Sequence, residues 1–292
     1  MKFIINVLNN KNVRKFKHML LPSAARLLDL PNCSAWCAET ETGAPAGCLA
    51  AWNEDGVSYL RSLYIMPEYR HHKNASALFK TWENHAAENS IKSLHSLVSL
   101  PKNELIPLAA FLKKMGFPAG SFSGEVFTFN TYTIRRGKFV SKTLHRSAPL
   151  LPSGWRAVRY SSLTNTEKCL LDESREALFA SHFAYDIDYD KLDKAHSFAF
   201  FKNSEIMGYI SQTRLTPNIV SVPVFAANPH NRGAGLVILK YYIFAVHTEM
   251  PEIFYIRCHF TPQTETGKKL FLMYSEGKYT RHALEYYFIK NL

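Results

Sequence analysis

The sequence predicts a two-domain α/β protein of 292 residues, and three observations carry that reading. A strand-like run, a Pro-x-x-Arg loop and an amphipathic helix occur in that order twice, at Pro67 and at Pro229, 162 positions apart. The strands and helices around each loop follow the same order. Between the copies lies Ser147-Ala148-Pro149-Leu150-Leu151-Pro152-Ser153-Gly154, a stretch of linker composition. Halves of about 145 residues fall within the usual domain size, and 47% hydrophobic residues provide for two cores. The boundaries read as 1–146 and 153–292.

Taken in order, Phe3 to Leu8 opens the first half as a strand. Ser34 to Glu39 and Gly47 to Trp52 read as a hairpin turned at Thr42-Gly43-Ala44-Pro45, and Asp55-Gly56 leads into strand Val57 to Met66. Ala75, Leu78, Phe79 and Trp82 share one face of the next helix. Strand Ser93 to Leu100 and a helix from Glu104 to Lys114 follow, the helix stopped by Gly116. The second half begins at strand Trp155 to Tyr160 and helix Thr166 to Ala180. His196 to Lys202 and Ile206 to Leu215 are strands joined at Asn203-Ser204. In strand Ile219 to Ala227, Pro223 marks an edge or a bulge, because proline cannot donate to a ladder. The next helix carries Leu239, Tyr242, Ile243 and Val246 on one face. Strand Ile253 to Phe260, helix Glu265 to Tyr274 and strand Ala283 to Lys290 complete the half.

The two loops are where chemistry is expected. A helix start presents backbone N–H groups without intrahelical acceptors, and the macrodipole adds partial positive charge, so phosphates settle there. In Pro229-His230-Asn231-Arg232-Gly233-Ala234-Gly235-Leu236, the glycines allow close backbone approach and Arg232 adds charge-assisted hydrogen bonds. Taken alone, this string also fits a simple turn with a helix cap. The first loop, Pro67-Glu68-Tyr69-Arg70-His71-His72-Lys73-Asn74-Ala75, has Lys73 where the second has Gly233, and a Cβ there is expected to obstruct that approach.

With these motifs in this context the chain resembles, over nearly its whole length, a tandem member of the GNAT superfamily of N-acetyltransferases. The resemblance implies two acyl-CoA N-acyltransferase-like domains, each a mixed, mostly antiparallel splayed sheet flanked by helices. It implies acetyl-CoA as co-substrate, held in the second copy by Phe225, Ala226, Ala227, Arg232, Gly233, Ala234, Gly235 and Leu236. In the first copy the corresponding residues are Leu63, Ile65, Arg70, His71, Lys73, Asn74 and Ala75. The later family motif is visible in Phe111 to Phe117 and in Leu272 to Gly277. Leu112 and Met273 stand where a tyrosine commonly protonates the leaving thiolate, which leaves Tyr274, one step out, as the candidate acid. Lys73 and Leu112 rank the first copy as the degenerate one and the second as the favoured acetyl-CoA site.

No carboxylate lies on either strand before a loop, so the candidate base is His259, which shares a strand face with Tyr255 and Arg257; a hydrogen-bonded structural histidine is the alternative. In His182 to Asp190, Tyr185, Asp186 and Asp188 combine charge and aromatic faces suited to a cationic amine, or form an ordinary acidic loop. The acceptor reads as a small-molecule or peptide amine.

Formal charge is +11, with 19 Lys and Arg against 10 Asp and Glu in residues 1 to 150. That balance suits anionic CoA, yet it keeps open an RNA-associated or aminoacyl-tRNA-dependent transferase, although no nucleic-acid motif or aromatic interleaving accompanies it. A CoA-binding interaction module without catalysis is the other alternative. No apolar run approaches the length of a membrane helix. Five cysteines without CxxC spacing fit a reduced, cytoplasmic protein without a metal, since Cys33, Cys37, His71 and His72 lack a second matching half of a zinc motif.

Overall fold

The computed structural model describes residues 3–9, 11–137, 151–177 and 192–292. The chain forms two compact units, one of residues 1–123 with 284–292 and the other of residues 124–283. The expected halves, 1–146 and 153–292, therefore differ from the units at their ends: the last strand of each half builds the other unit. The physical reason is that a strand pairs through its backbone, and an alternating run such as Ala283 to Lys290 fits the edge of either sheet.

In the first unit, strands β1 (Phe3–Val7), β2 (Cys33–Thr40), β3 (Pro45–Glu54), β4 (Val57–Ile65) and β5 (Ser93–Leu100) stand in sequence order, and β12 (Arg281–Asn291) follows β5. Only β4 and β5 are parallel; β12 runs antiparallel to β5, from Leu284 opposite Leu100 to Asn291 opposite Ser93. Short helices α1 (Val13–Phe16) and α2 (Pro22–Ala25) pack on one face over Cys37, Cys48 and Ala50. Helices α3 (Asn74–Glu88) and α4 (Lys102–Lys114) pack on the other. The predicted helix face is buried there: Phe79 meets Trp82, Phe111 and Phe117 edge to face. The buried Trp82 indole donates to Ser58, which donates to Asn53, so the buried indole and hydroxyl are both paired. Phe288 of β12 closes the same core at 4% exposure, a burial of roughly 2 kcal/mol.

The second unit repeats the plan. β7 (Trp155–Arg159), β8 (Phe198–Lys202), β9 (Glu205–Thr216), β10 (Ile219–Ala227) and β11 (Tyr255–Phe260) stand side by side, with β6 (Ser121–Asn130) beyond β11. Again one pair is parallel, β10 with β11, and β6 is antiparallel to β11. The sequence reading placed no strand at β6, although its Val126, Phe127 and Phe129 are buried. Helices α5 (Thr131–Arg136), α6 (Asn165–Ala177), α7 (Ala234–Glu249) and α8 (Glu265–Tyr274) complete the α-helices among the described residues. Along α7, Leu239, Tyr242, Ile243 and Val246 are buried as their spacing predicts, and the Tyr242 hydroxyl donates to Gln212, which donates to Asp193. Pro223 sits at a bulge of β10 against β9, where no ladder donor is required.

Candidate active site

Each unit has the same opening device, a parallel pair of strands that parts. In the first, β4 and β5 pair from Val57 opposite Ser93 to Leu60 opposite Ser96 and no further, and β4 bulges at Arg61 beside the last pair. A bulge frees backbone groups from the ladder and bends the strand away from its neighbour. The parted strands and α4 border an open cleft of about 700 Å³, lined by Leu63, Ile65, Arg70, Ala75, Leu100 and Phe111, among others. Leu63, Ile65, Arg70 and Ala75, singled out in the sequence, are thus brought together on one cavity. His71 and Lys73 are exposed on the loop at its end, and Asn74 is buried, donating to the Tyr69 carbonyl to close that loop.

The loop takes the shape that glycine would favour without containing one. His71 and Lys73 have φ of 67° and 64°, the left-handed region, which costs a side-chain-bearing residue about 1–2 kcal/mol. Lys73 occupies the position before α3 in the conformation that Gly233, with φ 92°, occupies before α7. Lys73 thus keeps the loop's course through a strained backbone, with its Cβ still at the position where obstruction is expected. No side chain caps α3, and its first backbone bond runs from the Ala77 amide to the Lys73 carbonyl. The Arg70 Nε donates to the Ile65 carbonyl at 3.2 Å, anchoring a guanidinium at the cleft.

The second unit differs where the strands part. β10 and β11 pair only to Val222 opposite Cys258, and the crevice beyond holds about 50 Å³. Phe225 lines it, its ring edge against Phe271 at 5.9 Å between centroids and close to Gly267. Ala226 is buried and Ala227 partly so. At the loop, Arg232, Gly233 and Leu236 are exposed, whereas Ala234 is buried and Gly235 is backed by Leu270. The Ala234 amide donates to the Asn231 carbonyl and the Leu236 and Val237 amides to Gly233, so this helix start is largely satisfied by its own loop.

Of the two catalytic candidates, His259 lines the narrow crevice and Tyr274 does not. Tyr274 is 5% exposed in the aromatic core, and burial pushes its phenol up to about 12. One step from the motif position, it is turned inward, and the role of acid to a leaving thiolate is not open to it there. Leu112 is wholly buried. Tyr185, Asp186 and Asp188 lie outside the described residues. Among the described residues no cluster of three or more His, Cys, Asp or Glu is placed to hold a metal, and no described helix is long and apolar enough to cross a membrane.

Each unit thus combines a parallel strand pair that parts with a loop that leads into the next helix. Residues 7–117 match the family described as Acetyltransferase (GNAT) family. Among solved structures, a tandem GNAT protein from the clavulanic acid biosynthesis pathway, without acetyl-CoA, is similar at a TM-score of 0.70 and 13% identity over 99% of this chain and 98% of that one. A GCN5-related N-acetyltransferase from Sphaerobacter thermophilus gives 0.63 and 12% over 99% and 95%. A fungal multi-domain β-N-acetylglucosaminidase with a GCN5-related glucosamine N-acetyltransferase region gives 0.65 and 12% over 99% of this chain and 38% of that one. Comparison with curated protein sequences gives no match. These likenesses show that the whole chain has the fold of tandem GNAT proteins.

Proposed function

We propose that this protein is an acetyl-CoA-dependent N-acetyltransferase whose N-terminal unit binds acetyl-CoA and moves the acetyl group to a primary amine by direct attack in a ternary complex. The cleft of about 700 Å³ between the parted β4 and β5 carries the reading. Its residues fit the group: apolar Leu63, Ile65 and Leu100 suit a pantetheine arm, while Arg70 and the uncapped start of α3 suit a diphosphate. Acetyl-CoA supplies the activated thioester. The bulge at Arg61 supports an oxyanion site, since a backbone amide released from the ladder is a preorganised donor.

The C-terminal unit, ranked first on its glycines, is then a scaffold, a reading supported by its narrow crevice of about 50 Å³ with Phe225 on its wall. With Leu112 buried, the leaving thiolate takes its proton from water. The acceptor is a small-molecule or peptide amine, and a cytoplasmic location agrees with the supply of acetyl-CoA. Isothermal calorimetry with acetyl-CoA tests the reading: one equivalent is expected per chain, and an absence of heat in the intact protein overturns it.

A further inference from the structure

Along β5, Leu94 and Val98 are buried under the α3 and α4 face, so Ser93, His95 and Leu97 point to the opposite side of the sheet. β12 places Ile289 opposite His95 and Tyr287 opposite Leu97, and opposed residues of antiparallel strands share a face. Tyr287 thus stands beside the first residue of β5 beyond its last pair with β4. Its hydroxyl is hydrogen-bonded to Nδ1 of His95, whose Nε2 lies 3.0 Å from the Ser93 hydroxyl. The Tyr59 ring packs edge-on against His95 at 5.3 Å, and the Arg61 guanidinium lies 5.6 Å from the centre of the Tyr59 ring. Leu97 and Ile289, on the same face, are 56% and 39% exposed, so this side of the parted strands is open to a ligand.

We propose that Tyr287 and His95 form the proton relay of the N-terminal acetyl-transfer site, with Tyr287 meeting the amine and His95 holding the proton behind it. The inference rests on the cleft between β4 and β5 being the acetyl-CoA site. A thioester lying in that gap presents its carbonyl to both faces of the sheet, and this pair lines the face away from α3 and α4. Tyr287 donates its proton to Nδ1 of His95 as its oxygen accepts one from the attacking neutral amine. The C–N bond forms and the C–S bond breaks. The thiolate is protonated by water and the imidazolium returns its proton to solvent, so the sum is amide plus free thiol. Burial holds His95 below the ordinary imidazole value and Tyr287 above the ordinary phenol value, which keeps both in the required neutral forms near pH 7. The titratable and charged groups facing His95 are Tyr59 and Arg61 from β4 and Tyr287 from β12, with Glu285 two residues along the same face.

The experiment uses the full chain, with thiol release from acetyl-CoA followed in the presence of spermidine, glucosamine and Nα-acetyl-lysine, alongside calorimetry with acetyl-CoA. Tyr287→Phe keeps the ring contacts, and His95→Gln keeps a hydrogen-bonding side chain. Both are expected to bind acetyl-CoA as the wild type does while kcat falls on the order of 100-fold or more. The acidic limb of the kcat/KM profile, placed below the ordinary imidazole value, is expected to vanish in His95→Gln. Unchanged kcat and an unchanged pH profile in both variants overturn the relay. A wild type that binds acetyl-CoA but releases no thiol with any of the three amines also overturns it and leaves the binding reading standing. A wild type that does not bind acetyl-CoA removes both.

Discussion

The two partings of the sheet strands are built alike and end differently. The C-terminal one keeps Gly233 and Gly235, has Phe225 on its wall and leaves about 50 Å³. The N-terminal one has no glycine in its loop yet leaves about 700 Å³ between Leu63 and Leu100. A backbone course can be held by strained residues at about 1–2 kcal/mol each, whereas a cleft closed by an aromatic ring offers no room at any backbone geometry. The side chain between the strands therefore discriminates the units better than the glycines of the loop.

The comparison breaks most sharply if the open cleft is filled. Ala75→Phe is expected to abolish the stabilisation by acetyl-CoA, about 2.7 kcal/mol at a ligand concentration 100-fold above Kd, as read by thermal shift. Retention of the shift would move the site elsewhere. Phe225→Ala tests the filled side: it is expected to cost roughly 2 kcal/mol in urea unfolding, because a half-buried ring leaves its contacts with Phe271, while calorimetric stoichiometry stays at one. A second equivalent of acetyl-CoA in that variant would show that the ring alone separates the units.

Arg70→Ala is expected to weaken acetyl-CoA about tenfold, about 1.4 kcal/mol, while Arg232→Ala leaves affinity unchanged. Equal losses would refute the asymmetry. The smallest effect is expected of Lys73→Gly, which relieves a left-handed side chain and raises stability by about 0.5 kcal/mol, net of the entropy glycine adds to the unfolded chain. A fall in stability on denaturant titration would mean that the Lys73 side chain has a stabilising partner.

Most elements were legible because each is encoded locally. Alternation and turn residues mark β4, β5, β9 and β10, and the 3.6-residue spacing of Leu78, Phe79 and Trp82 marks α3. What was not legible depends on separation in sequence. β12 alternates in a way that fits either unit, and the Tyr287 partner of His95 lies 192 residues away. β6 carried a usable signal in Val126, Phe127 and Phe129. For the candidate site, the loop pattern singles out Leu63, Ile65, Arg70 and Ala75, which line one cleft, whereas the width of the space between the parted strands depends on side chains brought together in three dimensions and has no local signal. Tyr274 is a related case: one position along a helix places a hydroxyl expected in the cleft in the core.

The traded end strands set an order on biosynthesis. When Ser123 has left the ribosome, the first unit still has a bare β5 edge and a core unsealed by Phe288, and both persist until Leu284–Leu292 are made. A nascent chain of this protein is therefore sticky for most of its synthesis, a natural client for chaperones that shield unpaired strands. A chain without Leu284–Leu292 lacks one edge strand and, on the relay proposed above, Tyr287 as well.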